Sequence, residues 1–285
     1  MSTDLLTMLM WSLFLIAAVS VTAHLHRHMG VLIVSQASIM TVAALVDVRL
    51  LKSGVNPIFS LAVAVIAGCV FGLFHLPVLL QTGAALLLVL TAISQLVLVE
   101  IWYALPQITG GSGGILLPSN VAPSALLTFF LILGIIVVYL YRNTVLPTRR
   151  FDWATLKSLG PKAGAFGVPA LQLYAIGFAL YGALLGAAGV AATRLLGYLT
   201  VNSFGLTWAL AVVMIVLASQ RQPVWGALVL SAFYCAIRVL LRQSVYASVA
   251  WSHAFEILFP LTLLISLCVN SYLPQKWRNL KKTNN

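Results

Sequence analysis

Long apolar runs divide this chain, and the longest is Pro77–Tyr103 (PVLLQTGAALLLVLTAISQLVLVEIWY). A helix needs about 20 such residues to cross roughly 30 Å of hydrocarbon. Further runs lie near Leu5–Ala23, Val31–Val48, Pro57–Leu73, Pro123–Tyr141, Leu171–Ala192, Leu206–Ala218, Val224–Leu241 and His253–Tyr272. Only 7% of the 285 residues are charged and 61% are hydrophobic. A soluble domain carries roughly 25% charged residues, so this chain could not cover a soluble surface. Disorder is excluded too, because it requires low hydrophobicity. The expectation is all-α: one polytopic transmembrane helical bundle over residues 1–285, with about nine spans using about 180 residues. Leu206–Ala218 is short for a crossing and reads as tilted, broken or extended by the polar residues before it.

A net charge of +11 raises the question of nucleic acid. The basic residues lie mostly in gaps between apolar runs, with no aromatic-interleaved stripe, which argues for an anionic bilayer leaflet instead. With nine spans, Arg27, Arg142, Arg149, Arg150, Lys157, Lys162, Arg221, Lys276, Arg278, Lys281 and Lys282 fall on one side. Arg49, Lys52, Arg194, Arg238 and Arg242 fall on the other. The positive-inside rule then predicts the N-terminus outside and the C-terminus cytoplasmic. Met1–Asp4 lacks a basic segment, so the first run reads as a span and not as a signal peptide.

Catalytic patterns are missing. The acids Asp4, Asp47, Glu100, Asp152 and Glu256 are scattered, with no pair spaced for acid–base work. Asp47, Arg49 and Glu100 lie near span ends and read as interfacial anchors. Glu256 is expected to pair with Arg238 or Arg242. In HLHRH only His24 and His28 share a helical face, too few ligands for a metal site. His75 and His253 are expected to bond locally. Cys69, Cys235 and Cys268 sit in apolar runs and read as small buried hydrophobes.

Five stretches carry more information. Ser35, Gln36 and Ser38 interrupt the apolar Gly30–Leu45 and can satisfy backbone at a helix break or line a polar path. A similar polar start, Ser219–Pro223, precedes Val224, and the two interruptions hint at an internal repeat. The loop Thr109, Gly110, Gly111, Ser112, Gly113, Gly114, Ile115 is a flexible segment able to turn with positive φ. Gly177, Gly182, Gly186 and Gly189 put small residues about one turn apart, allowing close helix approach. Finally, the basic loop 142–170 holds an amphipathic Phe151–Leu159, with Asp152 as N-cap and Gly160-Pro161 as its stop. It reads as a short helix at the inner surface or as a plain solvated connector.

These landmarks, in this order, resemble the permease subunits of branched-chain amino acid ABC importers, the LivM-like type. Gly30–Ala37 (GVLIVSQA) is similar to that family's early G-x-L-S-L-G-x-A. Thr109–Ile115 (TGGSGGI) resembles its TGGxxGI loop, and Lys162–Val168 (KAGAFGV) the A-A-E-A-L-G-I end of its cytoplasmic coupling region. Leu173–Tyr198 is similar to its small-residue helix and Trp225-Gly226-Ala227 to its W-G-x segment. Gly164 stands where the family carries an acid, which marks a divergent member.

The resemblance implies a second membrane permease subunit, two ATP-binding subunits and a periplasmic substrate-binding protein as partners, in a bacterial inner membrane. It implies no enzyme activity and no cofactor in this chain, since ATP is bound by the partner subunit. It places ATPase coupling on Trp153, Leu156, Lys157, Leu159, Lys162, Gly164 and Gly167, with the first apolar groups filling a partner groove. Translocation-path candidates are Ser35, Gln36, Ser38 and Asn202, for a small polar solute of the branched-chain amino acid kind. The alternatives are a stand-alone secondary carrier or uniporter, and a non-transporting scaffold.

Overall fold

The computed structural model describes residues 2–118, 134, 150–219 and 229–237. The runs near Pro123–Tyr141 (Gly134 apart) and His253–Tyr272, with most of Val224–Leu241, lie outside those residues, as do Glu256, Cys268 and the Trp225 segment. In order, the elements are α1 (Ser2–Met29), α2 (Gln36–Lys52), α3 (Pro57–Leu73), α4 (His75–Thr82), α5 (Ala84–Ala104) and α6 (Pro106–Thr109). Then come a 3-10 turn at Gly111–Gly113, β1 (Ile115–Leu116) and α7 (Arg150–Leu159), followed by a 3-10 stretch, Gly160–Phe166. The remainder is α8 (Ala170–Leu196), β2 (Tyr198–Leu199), a 3-10 turn at Val201–Phe204 and α9 (Leu206–Ala218). The protein is mostly helical. Among the described residues, Pro57–Thr82, Leu86–Ala104 and Ala170–Leu196 are long and apolar enough to cross a membrane.

Local chemistry explains most boundaries. Asn56 caps α3 by accepting from the Ile58 amide at 2.9 Å, and Pro57 takes the first helical position, where no N–H is needed. Gly197, left-handed at φ 73°, ends α8. The expected fourth run, Pro77–Tyr103, is not one helix. Gly83, at φ 81°, breaks it, and Pro77 belongs to the first turn of α4, which carries on from α3 past Phe74. Hydropathy is unbroken across Gly83, but the helical hydrogen bonding is not.

α8 lies at the centre. It is buried over 56% of its most apolar stretch, against 28% for Pro57–Thr82 and 22% for Leu86–Ala104. Its largest interface is with α3, and α2 and α1 pack beside that seam. The seam is built of glycine. A Cβ on Gly68 would sit 2.6 Å from the Gly182 carbonyl oxygen, and one on Gly72 would sit 2.5 Å from that of Phe178. Gly189 likewise lies directly on the Met40 backbone of α2. Backbones this close gain dispersion contacts that a side chain would prevent, and those contacts drive helix association in lipid. By contrast, Ile66, Val70, Leu86, Val89, Ile93 and Val97 are exposed along α3 and α5. Such a surface suits hydrocarbon.

Two ends can be told apart. At one end the C-terminus of α2, the N-terminus of α3, α6 and the C-terminus of α8 meet. There β1 pairs antiparallel with β2, Ile115 opposite Leu199 and Leu116 opposite Tyr198. At the other end α1 finishes against α7: His28 and Trp153 rings lie 6.1 Å apart, edge to face. Gly30 there abuts the Lys157 backbone. Thus Arg49, Lys52 and Arg194 occupy one end, while Arg27, Arg150, Lys157 and Lys162 occupy the other.

Candidate functional site

α1 stops at Met29 and α2 starts at Gln36, so Gly30–Ser35 is non-helical. Val31, Ile33, Val34 and Ser35 are nevertheless buried. Irregular backbone inside a membrane protein must find partners within the protein. Thr91 on α5 supplies one: its Oγ accepts from the Val34 amide at 3.1 Å and donates to the Leu88 carbonyl at 2.9 Å. Ser35 precedes the first turn of α2, yet its hydroxyl does not cap that turn. It bonds His75 Nε2 at 2.7 Å instead. His75 Nδ1 lies 3.0 Å from the Gly72 carbonyl. A carbonyl only accepts, so Nδ1 carries the proton, and in the neutral ring Nε2 accepts from Ser35.

The network reaches further along α2. Ser38 donates to Gln95 Oε1, and Gln95 Nε2 donates to the Phe204 carbonyl at 3.3 Å. Ser35, Gln36 and Ser38 are all fully buried, as are nearly all of Thr91 and Gln95. The chain from α2 through α5 to the turn before α9 therefore ties three elements together with uncharged groups. Gln36 stands apart: among the described residues neither its Oε1 nor its Nε2 has a hydrogen-bond partner.

Of the expected path residues, Ser35, Gln36 and Ser38 come together at the break, at its junction with α2. Asn202 lies in the Val201–Phe204 turn, whose Phe204 carbonyl joins the network; its side chain is outside the described residues. Three members were not expected. His75 does bond locally to Gly72, but it also joins the break. Thr91 and Gln95 had a signal, the polar T-A-I-S-Q interrupting an otherwise apolar α5.

The glycine loop is anchored by hydrogen bonds to α5. Thr109 Oγ donates to the Trp102 carbonyl at 2.5 Å, and Trp102 Nε1 donates to the Gly111 carbonyl at 3.0 Å. Gly110 and Gly114 adopt φ 76° and 68°. A Cβ on Gly110 would strike Gly114, and one on Gly114 would strike the Leu199 carbonyl. Only glycine fits both the angle and the space. Gly111 also has positive φ, and Gly113 has open space around it.

Around α7 the sequence expectation needs correcting. The helix forms, from Arg150 to Leu159, and Gly160 at φ 60° follows it. Asp152 lies in its first turn, where its charge suits the helix dipole, and not at the N-cap. Trp153 and Leu156, expected to fill a partner's groove, are 3% and 0% exposed. They are spent on the core of this chain, Trp153 against His28. The free face is Phe151 (74% exposed), Leu159 and Phe166 (66%), with Lys157, Lys162, Gly164 and Gly167 also exposed.

Asp47 is likewise not an interfacial anchor. It is fully buried and accepts from Arg194 Nε at 2.8 Å and Nη2 at 2.5 Å. Ser60 donates to it at 2.6 Å, and Arg194 also donates to the Pro57 carbonyl at 2.8 Å. Arg49 donates through Nε to the Ile108 carbonyl at 2.5 Å, while Glu100 remains exposed. Among the described residues no three His, Cys, Asp or Glu side chains gather as a metal site. No family model, curated protein or solved structure matches this chain.

Proposed function

We propose that this chain is a permease subunit of an ATP-driven importer for a small polar solute of the branched-chain amino acid kind. The observation that carries this reading is the face of α7 and the turn after it. An amphipathic helix at one end of the bundle buries Trp153 and Leu156 but leaves Phe151, Leu159 and Phe166 uncovered beside Lys157 and Lys162. Exposed aromatic side chains beside lysine suit a protein groove with acidic margins. The ordered resemblance to LivM-like permeases supports the same reading. On it, that end is cytoplasmic, the bundle has about nine spans with an internal repeat, and the membrane is the bacterial inner membrane. A second permease subunit, ATP-binding subunits and a periplasmic binding protein complete the assembly, and ATP is bound only by those partner subunits.

A second reading is a stand-alone carrier, favoured by the buried helix break with its polar network, an arrangement that secondary carriers use. Purification of the full chain from its native membrane in mild detergent separates the two. Retention of an ATP-hydrolysing subunit supports the importer. Purification without one, from a membrane that still takes up solute, overturns it.

A further inference from the structure

The N-terminus of α2 is buried inside the bundle, and among the described residues no side chain caps it. Its first-turn amides have no intrahelical acceptors, because the residues before Gln36 are not helical. Ser35, the residue in capping position, turns its hydroxyl to His75, and the first turn contains no acid. The helix dipole therefore leaves partial positive charge at a buried point. A second observation is independent of the first. Gln36 opens this helix, is 0% exposed, and has both an amide donor and an amide acceptor without partners among the described residues. Leaving such a group unpaired away from water is costly, so a partner at this point gains more than an ordinary hydrogen bond. The neighbouring Ser35, Ser38, His75 and Gln95 are already engaged with one another or with backbone.

We infer that the start of α2 is a binding site for the carboxylate of the transported solute. The amides of Gln36, Ala37 and Ser38 and the Gln36 Nε2 donate to the carboxylate. Gln36 Oε1 accepts from an N–H beside it, which an α-amino acid head group supplies through its ammonium. A helix start is suited to an anion without any formal cation, and none of the side chains in the network is a Lys or Arg. The proposal rests on the permease reading for its solute and adds where and by which group that solute is held.

The test uses the full chain in lipid nanodiscs, with whatever subunits accompany it. Radiolabelled leucine, alanine and serine are the probes, each competed with its unlabelled self and with its carboxamide. One or more of the amino acids should bind, and its carboxamide should compete about tenfold less well. Gln36→Glu, which puts a negative charge at the helix start, should weaken binding by a similar factor. Equal competition by the carboxamide, unchanged binding by Gln36→Glu, or no binding of any probe overturns the proposal. If Gln36→Glu does not fold, the carboxamide comparison on the unaltered chain decides alone. ATPase retention is scored on the same preparations. A chain that keeps its ATPase but binds no probe refutes the carboxylate site and leaves the importer reading standing.

Discussion

Asp47 and Arg194 are 147 positions apart and form a two-pronged ion pair in the interior, Oδ2 to Nε at 2.8 Å and Oδ1 to Nη2 at 2.5 Å. The Arg194 guanidinium also reaches the Pro57 carbonyl, so one contact ties α2, α3 and α8 at the same end. Breaking one half leaves an unpaired buried charge, at a cost of about 3–5 kcal/mol. Arg194→Met or Asp47→Leu alone should therefore lower the melting temperature in detergent sharply. The double replacement should recover most of the loss, because an apolar pair of similar volume replaces a buried ion pair at little cost. A double variant no better than the singles would show that the pair acts on more than packing.

The glycine seam makes a second prediction. Gly68→Leu or Gly182→Leu pushes a side chain into the facing backbone, which cannot swing aside as a rotamer can. The cost should reach about 3 kcal/mol, the upper part of the overpacking range. Gly164→Leu, where a Cβ meets nothing within 4 Å, is the control and should leave stability unchanged. Thermal unfolding of the three variants measures the contrast.

Exposure around α7 predicts a separation of phenotypes. Phe151→Asp and Phe166→Asp should leave the yield of inserted protein intact and lower ATPase retention about tenfold, as loss of an aromatic anchor does. Trp153→Asp should lower the yield instead, since it puts a charge into the contact with His28. Yield by fluorescence-detected size exclusion, with ATP hydrolysis on the eluted peak, distinguishes these outcomes.

Some of this organisation was legible in the sequence because it is local. Leu206–Ala218 is one helix over the bounds read from the sequence, not extended by the residues before it, since Gly205 and Ser219 flank its apolar run. Ser35, Gln36 and Ser38 mark the helix break because polar side chains in an apolar run call for partners, which Ser35 and Ser38 find in His75 and Gln95. Where readings failed, the deciding partner was remote. Asp47 near a span end looks like an anchor until Arg194 is beside it, and nothing within α2 shows that. The pattern of α7 reveals two faces but not which one this chain keeps: Trp153 and Leu156 turn inward, and Phe151 and Phe166 carry the exposure. Gly83 divides two helices through backbone geometry, to which hydropathy is blind.

The energy source for uptake tests the importer reading most directly. Cells dependent on this chain for solute entry are depleted of ATP with the ion gradients clamped, and separately treated with a protonophore with ATP maintained. The account predicts that uptake collapses in the first condition and persists in the second, and that Phe151→Asp reproduces the first. Uptake that survives ATP depletion and fails with the gradient would contradict it and assign transport to this chain alone.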